Sequence, residues 1–242
     1  MKTIVVDSHN EIFPHWFEEY LRMRLPLVVV RIDQHHDMNQ DCPSLPAREG
    51  RQIFDYFAKI MPYLYDYAKG KLNEGNFTCP AFYYGAIGAL YHFDPRGTKI
   101  DAYGRVLGGD FADSPKTKMR SEAIGGKRIS RILWDDAQTK LRRDGGKMVP
   151  VPRNISIASF EGDLKESRFP VVIGFDLDGL YGIDERCPAK EVVGKRLERV
   201  KNVLDCISSP VFACLARSQT PRAYVPPELV DHLQQAVLHL ME

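Results

Sequence analysis

Five short apolar runs constrain the fold of this chain more than any other feature. They comprise residues 3–6, 27–32, 155–158, 171–175 and 211–215. Because apolar residues fill both alternating positions, each run is predicted to form a strand with two buried faces. Between the strands, apolar residues recur at helical spacing in segments 53–65, 192–204 and 229–238. Strands that alternate with helices predict an α/β fold, a three-layer αβα sandwich around a mainly parallel sheet.

The length of 242 residues is sufficient for one continuous core, and we predict a single domain over residues 1–242. A basic insertion around residues 95–150 is the least defined part. Within it, residues 116–147 contain ten Lys or Arg and four Asp or Glu, although the whole chain has a net charge of +1. Trp134 is the only aromatic residue of that stretch, which is little for stacking on single-stranded nucleic acid, so we expect no nucleic-acid partner.

Cysteine usage and hydropathy predict the compartment. The five cysteines form no Cys-x-x-Cys pair, which argues against a disulfide framework and against a cysteine zinc site. No run resembles a signal-peptide core or a bilayer span. We therefore expect a cytoplasmic protein without a membrane partner. The sequence does not predict the oligomeric state.

Acidic and histidine side chains follow three of the predicted strands directly. His9 comes three residues after the first strand, Asp33 begins an Asp-x-His-x-Asp segment after the second, and Asp176 begins an Asp-x-Asp pair after the fourth. In parallel α/β sheets, ligands bind outside the carboxyl ends of the strands. We therefore expect acidic and histidine side chains from three strands to lie together at one edge of the sheet.

The spacing of these residues favours a metal site. In an extended chain, the alternate residues Asp33, His35 and Asp37 point to one side, as do Asp176 and Asp178. Four crowded carboxylates need cations, and two divalent ions would balance them. Oxygen-rich ligand sets favour Mn²⁺ or Mg²⁺, and we predict two Mn²⁺ ions. Either motif alone is more typical of a solvated turn or a helix cap, but the two together, after separately predicted strands, favour the metal site.

The same residues resemble a known family. Asp33-Gln34-His35-His36-Asp37 resembles the Asp-x-His-x-Asp element of arginases and agmatinases, and the segment from Phe175 to Leu180 resembles their second element. The resemblance implies an arginase-like fold with a binuclear manganese centre. It also implies that Asp33 and Asp176 bridge the ions, that Asp37 joins the first ion, and that His35 and Asp178 join the second.

A closer resemblance is to the peptide arginases of ribosomal peptide (RiPP) pathways, a small branch of that fold. It rests on the segment from Val6 to Trp16, on the segment from Ile32 to Asp37 and on Ala216-Arg217-Ser218. The similarity covers most of the chain and weakens between about residues 95 and 150. Together with its position after the first strand, this resemblance implies that His9 is a ligand of the first ion.

Two departures from arginases affect the assignment. The Gly-Gly-Asp-His segment of arginases has a counterpart at Gly108-Gly109-Asp110-Phe111, but it follows Asp37 and ends in a residue that cannot bind metal, so we interpret it as an unrelated turn. His36 competes with His35 if the loop is not extended; otherwise it lies beside the site. The acids that hold free arginine in arginases have no clear counterpart. Glu11 is the candidate partner for a guanidinium, or else an ordinary acid in the first turn of a helix.

These features lead to one hypothesis and two alternatives. The hypothesis is hydrolysis of arginine side chains in a precursor peptide to ornithine and urea, with Asp33, Asp37 and Asp176 as catalytic residues. Asp37 would protonate the leaving nitrogen. One alternative changes the substrate to agmatine, another guanidine or an acyl-lysine, as in the related deacetylases. The other is a non-catalytic binding module that uses metal only for folding, or that binds nucleic acid through its basic stretch.

Overall fold

A computed structural model describes residues 1–39, 43–104, 140–144, 147–181 and 188–241. The strands in these residues are β1 (Lys2–Val6), β2 (Leu27–Ile32), β3 (Ile87–Phe93), β4 (Ile100–Gly104), β5 (Lys140–Asp144), β6 (Lys147–Val151), β7 (Arg153–Ile155), β8 (Val171–Asp176) and β9 (Phe212–Ala216). A 3-10 helix (His9–Ile12) precedes the α-helices α1 (Phe13–Met23), α2 (Ile53–Gly70), α3 (Thr78–Tyr83), α4 (Ile157–Glu166), α5 (Asp178–Tyr181), α6 (Lys190–Leu204) and α7 (Pro227–Met241).

Seven of these strands form one sheet in the order β1-β9-β8-β2-β3-β4-β7. The first five are parallel to one another, whereas β4 and β7 are antiparallel to their neighbours. The predicted α/β class and mainly parallel sheet are confirmed. Strands β5 and β6 pair separately as a hairpin.

Helices cover both faces of the sheet. Along β2, Val29 belongs to a core formed with α1, α2 and α3, whereas Val28 and Val30 belong to a second core formed with α4, α6 and α7. Alternate residues of a strand point to opposite faces, so both faces of this central strand are packed against helices. The arrangement has three layers, as the buried apolar runs predicted.

Two of the five strand predictions need correction. β1 is a strand, but it lies at the edge of the sheet and Val5 is 43% exposed, so its predicted burial on both faces is wrong. The predicted strand over residues 155–158 is wrong after Ile155. Ser156 ends the extended segment because its Oγ accepts a hydrogen bond from the Ser159 backbone N–H at 3.1 Å and caps α4.

Several elements near the site were not predicted. Helix α1 contributes Phe13, Trp16 and Phe17 to the core on one face of the sheet, and β3 is a wholly buried central strand beside β2. The segment Gly108 to Phe111 and most of the basic stretch lie outside the described residues. Cys79, Cys206 and Cys214, the cysteines among the described residues, form no disulfide. None of the helices in the described residues combines the length and the apolarity needed to cross a membrane.

Candidate metal centre

The carboxyl ends of parallel strands bring three of the predicted residues together. His9 begins the 3-10 helix after β1, Asp33 follows β2, and Asp176 is the last residue of β8. The Nδ1 atom of His9 lies 3.1 Å from Asp33 Oδ2 and 3.0 Å from Asp176 Oδ2. All three side chains are buried. We call these residues the His9 cluster.

A second group shares Asp33 with the first. His35 Nδ1 lies 3.1 Å from Asp178 Oδ2 and 3.9 Å from Asp33 Oδ1, and the His35 backbone N–H donates to the same Oδ1 at 2.7 Å. We call Asp33, His35 and Asp178 the His35 cluster. In each cluster, one candidate ligand atom from every residue lies within 4.8 Å of the others. The two oxygens of the Asp33 carboxylate therefore face two different groups of ligands.

Asp37, the last acid of the Asp-x-His-x-Asp segment, does not continue the extended chain. Its φ is 46°, in the left-handed region, which Asp adopts more readily than most residues. The predicted alternation therefore fails at Asp37. Its Oδ2 lies 3.7 Å from His9 Nδ1, close to the His9 cluster.

A buried cation that the sequence analysis missed lies between the acids. Arg31 is wholly buried, and its Nη2 donates to Asp33 Oδ2 at 2.5 Å and to Asp37 Oδ2. Its Nη1 donates to Thr78 Oγ1 at 2.9 Å, and its guanidinium lies 4.9 Å from the Phe77 ring centroid. Sequence analysis had treated the run 27–32 as an apolar strand and had given Arg31 no role.

Arg31 changes the charge argument for the site. It offsets one of the four carboxylates, so the prediction that divalent ions alone balance them is incomplete. With neutral histidines, three negative charges remain, which is more than one divalent ion neutralises. Buried charge without a partner is costly, and the remaining charge still favours two cations.

The pKa values show how the metal-free site accommodates this charge. Burial and Arg31 lower the pKa of His9, but Asp176 and Asp33 outweigh them and raise it to about 9. The hydrogen bond with Asp178 raises the pKa of His35 to about 9 against the effect of burial. Burial and the carboxylates of Asp176 and Asp33 raise the pKa of Asp178 to about 8. In the absence of metal, protons therefore occupy several candidate ligand atoms at neutral pH.

The donor set fits divalent cations. Asp178 Oδ1 is buried and has no hydrogen-bond partner among the described residues, and a buried acceptor of this kind needs a cation or a donor. Aspartate oxygens outnumber imidazole nitrogens in the two clusters, as in sites for Mn²⁺ or Mg²⁺. The structure therefore contains buried groups that could hold metal ions, as the spacing predicted.

Packing around the clusters fixes their position. A Cβ on Gly179 would lie 3.2 Å from the Cα of Asp33, so any other residue would push α5 and the end of β2 apart by a few tenths of an ångström. Ser218, which follows β9, donates its hydroxyl hydrogen bond to Asp176 Oδ1. The Phe77 ring lies between the rings of His9, at 5.0 Å, and Trp16, at 5.5 Å.

The clusters open into a cavity of about 1030 Å³. His9, His35, Asp37, Asp176 and Asp178 lie in its wall, so every predicted metal ligand except the wholly buried Asp33 reaches it. Other polar residues of the cavity wall, for which the sequence analysis predicted no role, are Glu74, Asp101, Arg222 and Tyr224.

Glu11, the predicted partner of a guanidinium, is not brought to the cavity. It lies half-buried in the 3-10 helix and is absent from the cavity wall. Glu74 lines the wall instead, and its Oε1 accepts a hydrogen bond from the Tyr224 hydroxyl at 2.9 Å. No sequence motif marks Glu74, because it reaches the site through the loop between α2 and α3.

No protein-family model matches the chain, and no curated protein matches it.

The proton-loaded ligands predict a steep pH dependence of metal affinity. Since a divalent ion would have to displace protons from His9 and from the hydrogen-bonded pair of His35 and Asp178, whose pKa values are raised, affinity should fall as the pH falls below about 8. We expect the association constant to drop about tenfold per pH unit for each proton displaced. Calorimetric titration between about pH 6 and pH 9 measures the slope.

Asp178→Asn provides the control for this titration. Asparagine cannot hold the displaced proton, so the variant should show a shallower slope than the wild-type protein. An affinity that is independent of pH in the wild-type protein would refute the proton-loaded description of the site.

Proposed function

We propose that this protein is a binuclear manganese hydrolase with an arginase-like fold that converts arginine side chains of a peptide to ornithine and releases urea. One observation carries the proposal: the two oxygens of Asp33 face two separate histidine-aspartate groups. A carboxylate placed in this way suits a bridge between two ions. The resemblance of Asp33 to Asp37 and of Phe175 to Leu180 to arginase elements supports the same reaction.

The residues proposed to hold the ions divide into two sets around Asp33. His9, Asp37 and Asp176 would hold the first ion, His35 and Asp178 would hold the second, and Asp33 would be shared; the resemblance to arginases also implies a shared Asp176. When bound, two such ions supply a water nucleophile near neutral pH and polarise the carbon under attack. Arg31 holds Asp33 and Asp37 by hydrogen bonds from one nitrogen, which positions both carboxylates before substrate arrives.

The charge of the cavity supports a cationic substrate. Among the wall residues that are not proposed to hold the two ions, Glu74 and Asp101 are acidic, and Arg222 is the single Lys or Arg among the described residues that line the cavity. The electric field of a cleft whose charges have mainly one sign attracts ligands of the opposite sign. A guanidinium, cationic at all physiological pH values, meets this requirement.

The size of the cavity supports a peptide over free arginine. Its volume of about 1030 Å³ lies at the upper end of the range for small-molecule pockets. A free amino acid would leave much of that space filled with water. A peptide segment fills it while one arginine side chain extends to the strand ends.

Asp37 is the residue proposed to manage the proton. In the metal-free site, burial raises its pKa to about 6 despite the opposing effect of Arg31, and a carboxyl group beside the attacked carbon can accept and donate a proton. In the reaction, the water oxygen bonds to the guanidinium carbon, the carbon–nitrogen bond to the side chain breaks, and Asp37 takes a proton from the attacking water and passes it to the departing amine. The products are urea and ornithine.

Glu74 is proposed to bind the substrate away from the metal clusters. Glu74→Gln removes a charged acceptor while keeping the size of the side chain. We expect kcat/KM for an arginine-containing peptide to fall about 10- to 100-fold, mainly through KM, because a hydrogen bond to a charged group contributes about 1.5–3 kcal/mol. Steady-state kinetics of urea release measures it. Glu49→Gln, at an exposed acid paired with Arg51, should leave the kinetics unchanged.

The reaction itself is tested with three substrates. The Mn²⁺-loaded protein is incubated with arginine, agmatine and an arginine-containing peptide, and urea and the peptide mass are measured. We expect urea and conversion of arginine to ornithine from the peptide. Urea from agmatine alone would assign another guanidine substrate. Urea from none of the three would refute the guanidine hydrolase.

A further inference from the structure

A third group of ligand side chains lies beside the proposed centre. It consists of His36, His92 and Asp101, and one candidate ligand atom of each lies within 4.8 Å of the others. We call it the His92 cluster. It shares no residue with the His9 or His35 clusters. His36 and Asp101 line the cavity, so an ion from solvent can reach the group.

The register of the sheet builds this cluster. His92 on β3 pairs directly with Asp101 on β4, and Asp101 pairs directly with Asn154 on β7. Side chains of directly paired residues lie on the same face of a sheet, with Cβ atoms about 5 Å apart. The antiparallel strands that the sequence analysis missed therefore place one imidazole and one carboxylate side by side. His36 reaches them from the loop after β2.

His92 has a nitrogen without a partner. The side chain is 2% exposed, and its Nε2 makes no hydrogen bond with the described residues. Its ring lies 4.0 Å from the ring of His36 in a stacked arrangement. A buried polar atom without a partner costs about 1–3 kcal/mol, so this nitrogen indicates a missing ligand.

Neighbouring residues outside the cluster bind one polar atom of His36 and one of Asp101. Tyr103 contacts His36 Nδ1 at 2.6 Å, and Asn154 Nδ2 donates to Asp101 Oδ1. These contacts leave His36 Nε2 and Asp101 Oδ2 facing each other at 3.3 Å. Histidines and carboxylates that bind metal have their second polar atom fixed in this way by a neighbouring group.

We propose that the His92 cluster binds a third divalent ion of the late first-row type, with Zn²⁺ as the ion to test. Two imidazoles and one carboxylate suit zinc better than the oxygen-rich clusters do, because imidazole is a preferred ligand of zinc and of its neighbours in the series. Three protein ligands leave a position open toward the cavity. The site does not depend on the proposed hydrolysis, since its ligands are separate from those of the other two clusters.

The test counts zinc in a background that weakens the other clusters. Native mass spectrometry of chelator-treated protein with added Zn²⁺ is performed on Asp33→Asn and on the double variant Asp33→Asn with Asp101→Asn. We expect the double variant to bind one zinc fewer. Asp205→Asn, at an exposed acid paired with Lys201, is the matched control and should leave the count unchanged. Equal zinc counts with and without Asp101→Asn would overturn the proposal.

A second measurement covers a failure of the Asp33 variant to fold. In the wild-type background, Asp101→Asn and His36→Gln should each remove one zinc, whereas His15→Gln, at a histidine paired with Glu18 on α1, should remove none. Equal counts in all four proteins would refute the site. The zinc counts are made without substrate and are therefore independent of the urea assay. A failure to release urea would refute the proposed hydrolase but would leave the third metal site unaffected.

Discussion

Asp33→Asn is expected to abolish tight binding of both Mn²⁺ ions and to lower peptide hydrolysis by at least about a thousandfold. Asp33 is the single residue common to the His9 and His35 clusters. Asparagine has nearly the same shape, but one of its two polar atoms is an amide nitrogen, which donates hydrogen bonds and does not bind metal. Loss of one oxygen therefore removes the shared ligand without removing volume.

Asp178→Asn is the matched comparison for this prediction. Asp178 belongs to the His35 cluster alone, so its loss should weaken one ion and leave the other bound. Metal analysis after gel filtration counts the ions, and circular dichroism checks that each variant is folded. Two tightly bound ions in the Asp33 variant would contradict the bridging role.

Arg31→Met is expected to lower the stability of the metal-free protein by about 3–5 kcal/mol. Arg31 is wholly buried and donates to both Asp33 and Asp37. Burial raises the pKa of a carboxyl, and Arg31 is the main group that holds the pKa of Asp33 well below its ordinary value. Without the guanidinium, the two carboxylates must either stay charged with His9 as their remaining cationic partner or take up protons, and both outcomes favour the unfolded chain.

Mn²⁺ should restore much of the stability that Arg31→Met loses. Divalent ions supply the missing positive charge, and ions that bind only the folded state raise its free energy of unfolding. Urea unfolding with a chelator and with Mn²⁺ measures both values. Arg96→Met, at the exposed pair with Asp94, should cost at most about 1 kcal/mol in either condition. A fully stable metal-free Arg31→Met protein would refute the charge argument.

The parallel half of the sheet could be predicted because its strands carry an unmistakable pattern. Residues 27–32 and 171–175 form strands buried on both faces, and the acids that follow them meet at one edge. The apolar pattern also predicted β1. It did not predict that β1 is partly exposed, because a strand's position at the edge depends on the order of strands in the sheet. An apolar run contains no information about which neighbour it will pair with.

The antiparallel strands and the buried Arg31 could not be predicted from the apolar pattern. Ser156 ends a strand by capping a helix, and its hydroxyl competes with the apolar pattern that suggested a longer strand. Arg31 occupies a strand position that the run of valines marks as buried, and only the approach of Asp33 and Asp37 explains its charge. Glu74 and Ser218 reach the site through loops, for which hydrophobic periodicity has no signal.

The geometry also explains why the six predicted residues differ in role. His9 and Asp176 are held by packing, through the Phe77 ring and the Ser218 hydroxyl. His35 is half-exposed at the cavity wall and is held mainly by Asp178. The more open His35 cluster is therefore the one that we expect to lose its ion first when a chelator is added.

The central claim is that two metal ions share the Asp33 carboxylate. Electron paramagnetic resonance of protein loaded with two equivalents of Mn²⁺ tests it most directly, because ions joined by a bridging carboxylate are magnetically coupled. We expect the multiline spectrum of a coupled manganese pair, and its loss in Asp33→Asn. A spectrum of isolated Mn²⁺ ions alone in the fully loaded wild-type protein would contradict it.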